Sequence, residues 1–299
     1  MKKIILALSI LGFTTLLSAQ TYQPYTIGLK TDQKIIEIKA SLASALETHL
    51  FKVEGEYSPA NDKSRYVIIV SHRELILGAE KEGGLRGFAA TLRVAITEES
   101  DGTIISYTSP EYWGRAYYQD AFEKVSEHYK KVNTAFELTM KDLGNFDGSG
   151  FGSKKGLDAK DLMKYHYMMG MPYFDDTEEL GEFDSQADAI SKIEGNLKKG
   201  VSNVKQVYKI EIPNRKMTLY GFALSGENGE SKFLPIIDIK DPKHTAFLPY
   251  EMLVVNGEVH MLHGRFRIAL SFPDLTMGTF TKIMSTPGDI EEMLEQLVE

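Results

Sequence analysis

Residues 250–262 read YEMLVVNGEVHML: an apolar run, an Asn-Gly pair, then a second run rich in β-formers. Asn256 and Gly257 tolerate the positive φ that a tight hairpin demands, so the stretch predicts strand, turn, strand. Residues 92–107, LRVAITEESDGTIISY, carry the same pattern with Asp101 and Gly102 at the turn. Two hairpins of one design predict antiparallel sheets in both halves of the chain.

Upstream of each hairpin lie two further runs of β-branched and aromatic residues. They are FKVEGEY (51–57) and RYVIIVS (65–71) in the first half, and VKQVYKIEI (204–212) and KMTLYGFAL (216–224) in the second, joined through Pro213 and Asn214. A helix pattern precedes each pair. Ile35, Ile38, Leu42 and Leu46 recur at helical spacing after the N-cap candidates Thr31 and Asp32, and Ile190, Ile193, Leu197 and Val201 do so after Asp184 and Ser185. Helical material follows each hairpin, at 109–143 and at 273–284 with 289–299. The order of elements repeats after about 155 to 160 residues, which predicts an internal duplication.

Between the halves, GNFDGSGFGSKKG (144–156) has the Gly and Ser content of a flexible linker. LDAKDLMKYHYMMGM (157–171) predicts a short helix, and YFDDTEELGEF (173–183) an acidic connector. The chain begins MKKIILALSILGFTTLLSAQ, with two lysines ahead of an apolar run and small residues at Ser18 and Ala19. That is the pattern of a secretory signal peptide, too short in its apolar run for a spanning helix. The expected organisation is a signal peptide at 1–19, a first α+β module at 20–143, a linker at 144–183 and a second module at 184–299.

The segments LRVAITEESDGTIISYTSPEYWGRAYY (92–118) and LPIIDIKDPKHTAFLPYEMLVVNGEVHML (234–262) resemble the domain of unknown function 302 family. Asp241, Pro242 and Lys243 match its Asn-Pro-Lys-like turn, Leu248 and Pro249 its Leu-Pro segment, and Ser109 and Pro110 its hairpin close. Lys240 and Tyr250 stand near the places where some members carry cysteines, so no thiol role transfers. The resemblance implies a compact α+β unit, antiparallel strands with helices on one face, often associating in pairs. Tandem copies imply an intramolecular pseudo-dimer.

The chain has no cysteine, which excludes disulfides, thiol catalysis and a lipid-modified cysteine at the cleavage site. Net charge is -8, a sign that repels phosphate backbones and argues against nucleic acid as a partner. No second apolar run approaches spanning length, so a soluble periplasmic or extracellular product without stable membrane insertion is expected.

The one tryptophan and a tyrosine cluster lie at 107–118. Trp113 and Tyr117 are four apart on a predicted helix, as are Tyr112 and Ala116. Such stripes pack cores, yet with Glu111 and Arg115 at the rim they also suit an aromatic ligand. The candidate ligand-binding residues are Tyr107, Glu111, Tyr112, Trp113, Arg115 and Tyr117. His260 and His263, three apart on a strand, face opposite ways and are not read as a metal pair. His166 sits among methionines, and a short helix bridging the halves explains it without a metal. Asp147, Gly148 and Ser149 echo a calcium loop that lacks its closing acid; the run Asp175, Asp176, Glu178, Glu179 is read as solvated. His72, Arg73 and Glu74 after a strand offer an acid-base pair. No nucleophile elbow, phosphate loop, zinc motif or dinucleotide fingerprint occurs.

The resulting expectation is an exported, non-enzymatic protein without metal or cofactor, binding a small apolar or aromatic molecule or a protein partner. The alternatives are a hydrolase or isomerase using His72, Glu74 and Glu111, and a secreted structural or adhesion component.

Overall fold

The computed structural model describes residues 20–201 and 203–299. The predicted signal peptide, residues 1–19, lies outside the described residues. A two-residue strand, β1 (Thr21–Tyr22), opens them. The first half then runs β2 (Tyr25–Thr31), α1 (Ile35–Thr48), β3 (Phe51–Tyr57), β4 (Arg65–His72), α2 (Arg73–Glu82), β5 (Thr91–Glu99), β6 (Gly102–Thr108), α3 (Pro110–Tyr118) and α4 (Phe122–Leu143). The connecting segment holds β7 (Gly150–Phe151), β8 (Leu157–Asp158) and α5 (Ala159–Met163). The second half runs β9 (Thr177–Glu182), α6 (Gln186–Lys199), β10 (Val204–Ile212), β11 (Met217–Leu224), α7 (Glu230–Ile237), β12 (Tyr250–Val255), β13 (Glu258–Leu262), α8 (Gly264–Ser271), α9 (Met277–Phe280) and α10 (Thr286–Glu295).

The class is α+β. One sheet has the order β3-β4-β5-β6-β2-β7 and the other β10-β11-β12-β13-β9, all pairs antiparallel. Leaving aside the two-residue β7, the orders correspond strand for strand. Asn256, at φ 59°, and Gly257 make the second hairpin turn as its sequence predicts.

Several local expectations shift. The first helix starts after Lys34 rather than at Thr31 or Asp32, because β2 extends through Thr31 to pair with Thr103. Ser109 is the N-cap of α3, but its hydroxyl meets Thr26 Oγ1 at 2.8 Å instead of capping the helix. The acidic connector contains β9, an edge strand on β13; among its six residues only Leu180 is buried, so it carries little hydrophobic pattern. Residues of the Gly-Ser linker are tied to β2: Ile27 N bonds Ser149 O and Gly148 N bonds Ile27 O.

Helices α1 and α4 cover one face of the first sheet, and α6 covers a face of the second. Turns of 3-10 helix from each half lie on strands of the other half. Gly84–Ala90 from the first half packs on β11 and β12, and Thr245–Phe247 from the second packs on β4, β5 and β6. Gly87 allows the first contact, since a Cβ there would sit 2.6 Å from Leu253 Cδ1. Every residue of β4 is buried, which explains its unbroken apolar run Val67–Val70.

Charges are buried along this seam. Arg93 on β5, fully enclosed, pairs with Glu251 on β12, which also accepts the Tyr208 hydroxyl and, at 3.3 Å, that of Thr91. Arg65 on β4 pairs with Asp238 at the end of α7. Burying one ion without its partner costs far more than a surface charge. Arg93→Met is therefore expected to lower unfolding stability by about 3–5 kcal/mol, with Arg93→Met/Glu251→Leu recovering part of it in urea denaturation. Strictly additive losses would show the two charges to be uncoupled.

Candidate ligand-binding site

The loop after α7 is built around one carboxylate. Asp238 accepts the His244 backbone N–H at 2.8 Å and the Arg65 guanidinium, closing residues 238–244 into a turn that contains the cis Asp241–Pro242 bond. The first half grips this turn at two more points: Glu99 accepts Lys243 N–H at 2.7 Å, and Thr97 Oγ1 meets Thr245 Oγ1 at 2.9 Å.

His244 emerges from the turn with its ring stacked on Phe272, centroids 4.5 Å apart. Tyr25 lies 4.9 Å away, tilted to it, and Phe151 at 5.9 Å, edge-on. Its Nδ1 is 3.0 Å from Ser271 O. A carbonyl only accepts, so Nδ1 carries the proton and the neutral ring presents a lone pair at Nε2. Burial lowers the His244 pKa, against the pull of Asp238 and Asp274, which favours that neutral form.

His244 lines a cleft of about 370 Å³. Gly150–Lys154 of the connector form one side, the end of α7 and the loop after it from Ile236 to Pro242 another, and the segment from Phe272 to Thr279 the third. Phe151, Ile237, Phe272 and Leu275 make it apolar; Lys154, Lys240, Asp241 and Asp274 mark its polar part. A cleft of this size with an apolar wall and one fixed acceptor suits a small organic molecule.

The residues singled out in the sequence stand elsewhere. Tyr107, Tyr112, Trp113 and Tyr117 are at most 2% exposed and pack the core. Tyr107 stacks on Phe136 at 4.5 Å, and Tyr117 on Phe174 at 5.2 Å. Trp113 Nε1 donates to Pro24 O and the Tyr112 hydroxyl to Leu270 O, both at 2.8 Å. Arg115 pairs with Glu111 and Glu123 and lies over Tyr22 and Phe122. None of the six lines the His244 cleft.

His72 accepts the Glu74 N–H at 3.1 Å as the N-cap of α2, while the Glu74 carboxylate meets His128 at 2.6 Å and Lys131 at 3.2 Å. Glu111 belongs to the Arg115 pair on α3. His260 bonds Thr177 and Glu258, and His263 caps α8. Asp147 holds Ser149 N–H at 2.9 Å in a local turn.

Sequence reasoning missed His244. Its signal was its place directly after the Asp-Pro-Lys turn, but nothing local marks the rings that hold it, which come from positions 25, 151 and 272.

No family model and no curated protein matches the chain. Among solved structures, the chain is similar to the uncharacterized conserved protein DUF302 from Bacillus stearothermophilus. The match has 13% identity and a TM-score of 0.33, and spans 40% of this chain and 96% of that one. An overlap this slight does not place the chain in that family.

Two pH effects of opposite sign are expected. An imidazole titrates near 6.5 when unfolded, and His244 lies below that in the fold, so the unfolded chain takes up the proton first and stability falls on acidification. Replacing His244 with Gln is expected to flatten urea-derived stability between about pH 7 and 5, leaving a residual slope from His72 and His263, which burial also lowers. Glu99 is pushed up to about 7 by burial and by its hydrogen bond to Asp241. Its contribution is full below the unfolded value of 4.5 and is lost as pH rises through about 7. Glu99→Gln is expected to remove that loss, which falls between about pH 4.5 and 7, in the same titration; an unchanged slope would deny the raised value.

Proposed function

We propose that the chain is an exported, non-enzymatic binding module, in which two related α+β units pack as an intramolecular pseudo-dimer and the His244 cleft holds a small molecule. The paired-unit reading is supported by the matched strand orders and by the reciprocal 3-10 turns laid on opposite sheets. Export is supported by the residue pattern of 1–19.

The observation that carries the binding reading is the His244 ring itself: braced by Phe272, Tyr25 and Phe151, with its lone pair at Nε2. Nδ1 faces a peptide carbonyl rather than a carboxylate, an arrangement that orients an acceptor without strengthening a base. The ligand is a molecule with an apolar or aromatic body for Phe151 and Phe272 and a hydroxyl or amine proton for Nε2.

Native mass spectrometry of residues 20–299 purified from an exporting host is expected to show a small-molecule adduct that His244→Ala loses. Tyramine supplies a direct probe of the same chemistry, expected to shift the His244 ring resonances in NMR. An apo protein whose His244 signals ignore tyramine would overturn the reading.

A further inference from the structure

The two halves place a cleft at the same point of their topology. In the second, the loop after α7 meets the segment following α8; in the first, the loop after α2 meets the segment following α3. The connector walls both, with Gly150–Lys154 on one and residues from Met163 to Asp175 on the other. The first-half cleft is an open one of about 770 Å³.

Its chemistry differs from that of the His244 cleft because it is centred on a guanidinium. Arg86 donates through Nη1 to Asp175 Oδ1 at 3.0 Å and through Nη2 to Gln119 Oε1 at 2.9 Å, and lies 5.3 Å over the Phe174 ring. Gln119 holds its position from a left-handed backbone, φ 52°, an uncommon conformation for a residue other than glycine. The guanidinium is thus fixed by its neighbours, while its carboxylate partner is not. Asp175 is 52% exposed on the connector, and an ion pair so open to water is weak. Beside it, His166 lies 4.6 Å from Tyr173, a pair of rings on the same wall.

We propose that this cleft binds an aromatic carboxylate, and that Asp175 occupies the place of the ligand's carboxylate on Arg86 until the ligand displaces it. A planar guanidinium matches a carboxylate in geometry and charge. With Asp175 displaced, Arg86, Lys124 and Lys164 face Asp120 within the cleft, although Lys124 also reaches Glu82 at 3.0 Å. The ligand ring packs against His166 and Tyr173. The inference does not depend on His244.

The test is calorimetric titration of the described chain, residues 20–299, with 4-hydroxybenzoate. Wild type is expected to bind, Asp175→Asn to bind about threefold more tightly or better because the internal competitor is gone, and Arg86→Gln about tenfold more weakly. His166→Ala, which leaves Arg86 and its partners in place, is expected to weaken binding as well. Absence of binding to both wild type and Asp175→Asn at millimolar probe overturns the proposal. So does an Asp175→Asn variant that loses stability without gaining affinity, since Asp175 is then a strap alone. Binding abolished by His244→Ala and untouched by Arg86→Gln would move the probe to the other cleft, overturning this inference while sparing the reading of His244.

Discussion

The Arg65–Asp238 ion pair is the constraint on which the His244 cleft depends. Its guanidinium comes from β4, and its carboxylate belongs to the residue that ends α7 and holds the turn that presents His244. Neither charge is tolerable alone in the seam, so the pair forms only where the two halves meet. The turn is therefore set by the docking of one half on the other together with its own Asp238–His244 bond. Glu99 and Thr97 repeat the theme, reaching from β5 to Lys243 and Thr245.

The connector extends that dependence. The 33 residues from 144 to 176 between the two halves are more than joining them requires, and they are tied down along the way. Gly150 and Phe151 pair with β2, Tyr165 donates to Ala269 O at 2.8 Å, and Tyr167 to Leu275 O at 2.8 Å. It walls the cleft of the second half first and that of the first half next. One connecting segment thereby completes two topologically equivalent places of different chemistry, setting Phe151 beside the His244 imidazole and Asp175 beside the Arg86 guanidinium.

Much of the architecture was legible in the sequence because the hairpins and β-runs carry local signals. Asn256-Gly257, Asp101-Gly102 and the run Val67–Val70 state their conformation within a few residues. Strand β9 was not legible, because an edge strand with one buried residue has almost no alternation to read. The aromatic cluster was legible as a cluster and ambiguous as a site. Helical spacing gives the same stripe to a core and to a pocket floor, and only the acceptors of Trp113 and Tyr112, at Pro24 and Leu270, separate the two. His244 was invisible for the opposite reason: Tyr25 is more than two hundred residues away, Arg65 and Glu99 belong to the other side of the seam, and Ser271 and Phe272 lie beyond the hairpin that follows it.

The same geometry explains why buried polarity concentrates where the halves meet instead of being replaced by apolar packing. Apolar burial is non-directional and scales with area, so by itself it discriminates weakly between registers of two packed sheets. A carboxylate such as Glu251 is satisfied only where Arg93, Tyr208 and Thr91 converge on it, and Asp238 only where Arg65 arrives from β4. Hydrogen bonds to buried charges are directional, and leaving one unmade is costly. The charged seam thus selects one register among the apolar possibilities. A site assembled from positions 25, 151, 244 and 272 needs that register held to a fraction of a side-chain width.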